Sequence, residues 1–152
     1  MSVLVDTNVL LRIAQVGHPG HAAATEAVLK LTRADFELCV SPQVIYEFWV
    51  AATRPLAANG LGMPVPLVER TIRDILIDYH LLRDERGVFG RWHSLVVLHD
   101  VKGKNAHDAR LVAAMQRHGL TNLLTFNKPD FARFAAIEVY TPAEVLAGRL
   151  PS

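Results

Sequence analysis

A single cysteine, Cys39, denies this chain of 152 residues any internal disulfide, and the reducing cytosol is the compartment that fits best. Cys39 lies between apolar neighbours in "ELCVS" and reads as strand packing, not as a nucleophile. No apolar run approaches the roughly 18 residues a membrane helix needs. The first residues carry Asp6 inside their apolar stretch and no basic leader, which argues against a signal peptide. Charge of one sign is also missing: 16 Lys and Arg against 15 Asp and Glu leave a net +1. That balance neither demands nor excludes a nucleic-acid partner. There are no internal repeats and no low-complexity tract. The length predicts one compact domain over residues 1–152 with a core of useful size.

What is present is an alternation of short apolar runs and helical patterns. Val3 to Val5 reads as a buried strand, with a helix from Asn8 to Gln15 and another from His21 to Thr32. "FELCV" is strand-like. "SPQVIYEFWVAATRP" is a helix with Ser41 as N-cap, Pro42 in its first turn and Pro55 beyond its end. Residues 55–66 are Pro/Gly-rich and are expected to form a flexible loop. A helix to about Asp78, a short strand in "YHLL" and a helix over residues 88–99 follow. "AHDARLVAAMQRHG" is helical and stops at Gly119. "NLLTF" and "IEVYTP" are strands, with a short helix in "PDFARF" between them. This pattern predicts an α/β fold with a mostly parallel central sheet between helical layers. Ligands of such sheets bind beyond the carboxyl ends of the strands. Asp6 lies at that end of the first strand, and Asn127 and Asp130 follow the strand in "NLLT".

Carboxylates also stand where carboxylates are costly. Glu47 is the only charged residue between Val44 and Ala52, and helical spacing aligns it with Val44, Val50 and Ala51. Unpaired burial of a charge costs several kcal/mol, roughly, and no Lys or Arg stands a turn away. Asp108 heads the apolar stripe of Leu111, Val112 and Met115. Taken singly, Asp6 is a helix cap, Asp108 a favourable first-turn anion, Asp130 a cap and Glu47 the partner of a distant arginine. Taken together they call for a shared partner, and a hard divalent cation supplies it. Oxygen ligands without histidine or cysteine suit Mg²⁺ or Mn²⁺. The nearest histidine pair, His18 and His21, flanks a helix start and reads as capping.

With these segments in view the chain resembles the PIN-domain nucleases, especially the VapC-type toxins. The resemblance rests on "VLVDTNVLLRIA", "SPQVIYEFWVAATRP", "NAHDARLVAAM" and "LLTFNKPDF", spread over most of the chain. The stretch from about Gly60 to Gly103 carries no matching motif. The resemblance implies a three-layer αβα sandwich and metal-dependent endonucleolytic cleavage of RNA, leaving 5′-phosphate and 3′-hydroxyl ends. It makes Asp6, Glu47 and Asp108 metal ligands. The family's fourth acid falls at Asn127, so either Asp130 or Asn127 with a water completes the site. Thr125 and Asn8 are implied as polar supports, and a small antitoxin and a homodimer as partners. Arg83, Arg86, Arg91, Lys102 and Lys104 are candidates for phosphate contacts. Trp92 reads as a base-stacking, core or dimer residue. Two rivals remain: a PIN-like binding module that has lost turnover, and a phosphoryl-transfer protein. The latter fits poorly, since Asp-x-Asp-x-Thr is absent and no acid precedes Asp6.

Overall fold

The computed structural model describes residues 1–152. Strand β1 (Ser2–Val5) leads into helices α1 (Thr7–Ala14) and α2 (His21–Arg33), then β2 (Glu37–Val40). Helices α3 (Pro42–Thr53) and α4 (Val65–Asp78) precede the two-residue strand β3 (His80–Leu81). Helices α5 (Gly87–Leu98) and α6 (Asn105–Arg117) are followed by β4 (Asn122–Leu124), β5 (Glu138–Tyr140) and α7 (Pro142–Leu146).

All strand pairings are parallel, and the order is β3-β2-β1-β4-β5. Leu4 is in register with Cys39 on one side and Leu123 on the other. Val3, Leu4 and Val5 are wholly buried, as expected for a central strand covered on both faces. The chain moves outward from β1 through β2 to β3, then crosses back to β4 and on to β5. Right-handed crossovers put the helices of these two excursions on opposite faces of the sheet. The result is a helix–sheet–helix sandwich, with the strand order reversing between β1 and β4. The crevice beyond the carboxyl ends of those two strands is where such a fold opens a site.

Local chemistry explains the elements that border this crevice. The Ser41 hydroxyl accepts from the Val44 N–H and Pro42 opens α3, both as expected. Asp6 caps α1, accepting from the N–H of the next residue, Thr7, at 2.7 Å. Thr141 and Glu144 form a reciprocal capping box that starts α7. The strand expected to run on to Pro142 ends at Tyr140, and "TPAE" starts this helix instead.

Residues 55–66, expected to be a flexible loop, instead fold back onto the end of α3. Leu61 and Met63 donate to the Ala51 and Ala52 carbonyls, and Gly62 donates to Arg54. A Cβ on Gly60 would lie 1.9 Å from the Arg54 carbonyl oxygen, so only glycine fits that approach.

Candidate functional site at the carboxyl edge of the sheet

Asp6 follows β1 directly and is 91% removed from solvent, with 9% exposure remaining. Burial raises its pKa most, the Glu47 charge adds to that, and hydrogen bonds from Thr125, Thr7 and Asn8 oppose it. Thr125, fully buried just past β4, donates its hydroxyl to Asp6 Oδ2 at 2.7 Å. Asn8 donates Nδ2 to the same oxygen at 3.1 Å and to Thr125 Oγ1 at 3.0 Å. The Asn8 amide oxygen accepts from the Phe126 N–H at 3.1 Å. The crevice between β1 and β4 is thus stitched across, and the Asp6 carboxylate is held from three directions.

Glu47 approaches from α3. Its carboxylate accepts from Thr7 Oγ1 at 3.1 Å and from Gln43 Nε2 at 2.9 Å. The apolar stripe of α3 consists of Val44, Phe48 and Ala52, all fully buried, whereas Val50 is 57% exposed. Glu47 therefore does not share the core face expected for it with Val50. It is half-buried on the rim. The reason lies in packing: α3 rests on α1 and α4, and their contact selects the Phe48 side of the helix.

Asp108, in the first turn of α6, is half-buried and makes no hydrogen bond through its carboxylate. Its pKa is pushed up to about 6, first by burial, then by the charges on Asp6, Asp130 and Glu47; His107 opposes. Asp108 thus lies within the field of three other carboxylates. Asp130 is exposed in a short 3₁₀ turn over Lys128–Phe131, and Asn127, also exposed, precedes it. The Asn127 contact within the cluster is through its backbone N–H, which donates to Thr125 Oγ1 at 3.0 Å.

None of the four carboxylates forms an ion pair. Four acids drawn from four chain segments, opposed at Asp108 only by His107, make an electrostatically frustrated cluster. Its donors are all oxygen, which suits a hard divalent ion. As the side chains stand, no three acidic groups converge closely enough to enclose an ion. Glu47 rests instead on Thr7 and Gln43.

Sequence reasoning missed Gln43, Thr7 and Arg110 as members of this network. Gln43 is 7% exposed and also donates to the His107 carbonyl at 2.7 Å, tying α3 to α6. Arg110 donates to Gln43 Oε1 at 3.2 Å. A buried glutamine four residues before a glutamate in an otherwise apolar helix was the available signal. His18 and His21 bond locally, to the Gly20 N–H and the Arg12 carbonyl.

The chain matches the family model described as PIN domain over residues 3–137. No curated protein matches it. Among solved structures it is similar to VapBC2 from Rickettsia felis, bound to a promoter DNA fragment, at 12% identity and TM-score 0.69, covering 93% of this chain and 98% of that one. It is similar to a toxin–antitoxin complex from Klebsiella pneumoniae at 22% identity and TM-score 0.63, covering 92% and 97%. A third, VapC20 from Mycobacterium tuberculosis, a sarcin–ricin-loop-cleaving toxin, aligns at 17% identity and TM-score 0.67, covering 87% and 95%. At these identities the likeness is one of fold.

Proposed function

This chain belongs to the PIN-domain family, and from that premise we propose that it is a metal-dependent endoribonuclease, the toxin of a toxin–antitoxin pair. The observation that carries the reading is the nearness of Asp6, Glu47 and Asp130 to Asp108 beyond the switch in strand order, with no ion pair to any of the four.

Asp6, Glu47 and Asp108 would hold Mg²⁺ or Mn²⁺, with Asp130 or Asn127 completing the set. When bound, the ion supplies a water of lowered pKa and offsets the charge on the scissile phosphate. Asp6, fixed by Thr125, Asn8 and the Thr7 N–H, sets the position of the site. Asp130, exposed and without a hydrogen bond to its carboxylate, is the group available to accept the proton of the attacking water. The Arg110–Gln43 pair holds Glu47 from behind, and Gln43 sets the spacing between α3 and α6.

Arg83, Arg86, Arg91 and Lys104 are exposed and free of ion pairs. Lys102 is engaged by Asp100 at 3.0 Å. The four free cations are the phosphate contacts of the reading, so binding should weaken with salt. The toxin–antitoxin complexes of shared fold support a small antitoxin as partner, and we extend to this chain a homodimer as well. No helix is long and apolar enough to cross a membrane.

The test is cleavage of a labelled single-stranded RNA panel in Mn²⁺, Mg²⁺ and EDTA, beside Asp6→Asn. Cleavage that needs the ion and is lost in Asp6→Asn is the expected result. Equal cleavage by both proteins removes Asp6 from the mechanism. RNA binding without cleavage, together with no uptake of Mn²⁺, favours a non-catalytic binding module, for which Asn127 in place of an acid is the supporting observation.

A further inference from the structure

Beside the acidic cluster, between α5 and α6, lies a cavity of about 540 Å³ that the mechanism above does not use. Phe89 and Trp92, about one helical turn apart, line one wall. Phe89 lies 5.8 Å from Trp92 and 6.2 Å from His93 between ring centroids, and its ring is stacked against that of His93. The Trp92 indole N–H donates to the Ala106 carbonyl at 2.9 Å, which fixes that ring on the face of α6. Phe89 is 70% exposed, although nothing in the strand–helix pattern of the fold requires an aromatic there.

The opposite wall connects to the candidate site. Arg110 lines the cavity, donates to Asp84 at its mouth at 3.2 Å, and through its other terminal nitrogen holds Gln43. Gln43 in turn holds Glu47. His107, another lining residue, precedes Asp108. The polar groups at the mouth are the Asp84 and Glu85 carboxylates, each already paired with an arginine. Arg86 and Arg91 flank Phe89 in sequence, exposed and unpaired.

A tethered indole and an exposed phenyl ring on one cavity wall, with unpaired arginines three residues before and two residues after Phe89 along the chain, supply the two elements that bind a single strand: rings for bases, cations for phosphates. A carboxylate at the mouth accepts hydrogen bonds from amino groups on a base edge. We propose that the cavity between α5 and α6 is a subsite for one unpaired nucleobase of single-stranded RNA, stacked on Phe89 and Trp92, with the neighbouring phosphates at Arg86 and Arg91. The inference rests on the nuclease reading for the identity of the ligand, and it adds where along the strand the substrate is gripped. Duplex RNA keeps its bases stacked inside and cannot fill the cavity, so the subsite selects unpaired positions.

The test uses the full chain in EDTA, where no cleavage competes, and a labelled RNA strand of about twelve nucleotides of mixed sequence. Phe89→Ala is expected to weaken binding roughly tenfold while leaving the salt dependence unchanged, because a stacking contact carries no charge. Arg86→Ala should instead lower the slope of log K against log salt by about one. A strand of the same length made of abasic ribose phosphates should bind weakly and show no difference between wild type and Phe89→Ala. In a Trp49→Phe background, where Trp92 is the remaining indole of the two, the RNA should quench its emission and the abasic strand should not.

Wild-type affinity in Phe89→Ala overturns the subsite, and so does an equal loss on the abasic strand. A change in sedimenting mass on Phe89→Ala would assign the rings to contact between copies and overturn it as well. Cleavage has its own readout. Asp6→Asn should abolish cleavage in Mn²⁺ yet keep the Phe89-dependent binding in EDTA, so either idea can fail while the other stands.

Discussion

Replacing Asp108 with asparagine should make the ion-free protein more stable, even though the same change should end cleavage. Asp108 has its carboxyl lifted from the ordinary 3.8 to about 6. At about 1.4 kcal/mol per pH unit, its ionisation at neutral pH opposes folding by up to roughly 3 kcal/mol. The residue is only half-buried, and screening by water and salt reduces that to about 1.5 kcal/mol. Asparagine also forfeits the favourable anion in the first turn of α6, worth about 0.5 kcal/mol. The net gain is about 1 kcal/mol, or roughly 2–4 °C in Tm for a chain of this size. The sign follows from proton counts. Between the ordinary value and about 6 the folded state binds more protons than the unfolded chain, so ion-free wild type loses stability as pH rises through that window. The gain from Asp108→Asn should therefore be full at about pH 7 and vanish near pH 4. Thermal melts of both proteins in EDTA across this range measure it. Saturating Mn²⁺ should reverse the order, since an ion at about a hundred times its Kd adds roughly 2.7 kcal/mol to wild type alone. A variant less stable than wild type in EDTA at neutral pH, or a gain independent of pH, would refute the claim that Asp108 sits in a field of like charge.

Three further outcomes are expected. Thr125→Val removes the hydroxyl that donates to the buried Asp6 Oδ2 at 2.7 Å, takes one of two acceptors from the Asn8 amide and leaves the Asn127 N–H without its acceptor; chemical denaturation should show a loss of about 1–3 kcal/mol. Gly60→Ala should lower the denaturation midpoint by an amount equivalent to about 1–3 kcal/mol, because its Cβ meets the Arg54 carbonyl, with Mn²⁺ affinity unchanged. Glu144, held down to about 2 by the Lys128 ammonium and then by the Thr141 N–H, contributes stability above its ordinary 4.5 that is lost as pH falls toward about 2. Glu144→Gln should accordingly cost about 1 kcal/mol at neutral pH, after allowing for solvent and salt, and nothing near pH 2.

The parts of this molecule that the sequence disclosed are those governed by neighbours along the chain. Val3 to Val5 ending on Asp6 marked a buried strand and the open edge of a parallel sheet. Ser41 with Pro42 marked the start of α3. Asp108 above Leu111, Val112 and Met115 marked a polar group at the head of a core stripe. What stayed hidden depends on contacts between distant residues. Gln43 meets His107 and Arg110 across 64 and 67 positions, which no periodicity encodes. The depth of Glu47 is set by which side of α3 faces α1 and α4, and Val50 fell on the solvent side. Residues 55–66 looked like a mobile connector because glycine and proline were read as breakers; here glycine permits a close return onto Arg54. On α5 only Trp92 stands out in the sequence, since Phe89 acquires its meaning from the cavity it lines with Trp92.

Titration calorimetry of Mn²⁺ into the wild-type chain and Asp6→Asn tests the central claim most directly. Binding to wild type at about pH 7, weaker near pH 5 as Asp108 takes up its proton and absent in Asp6→Asn, is the predicted result. No binding by wild type, or equal binding by both proteins, would contradict the assignment of these carboxylates to a metal site.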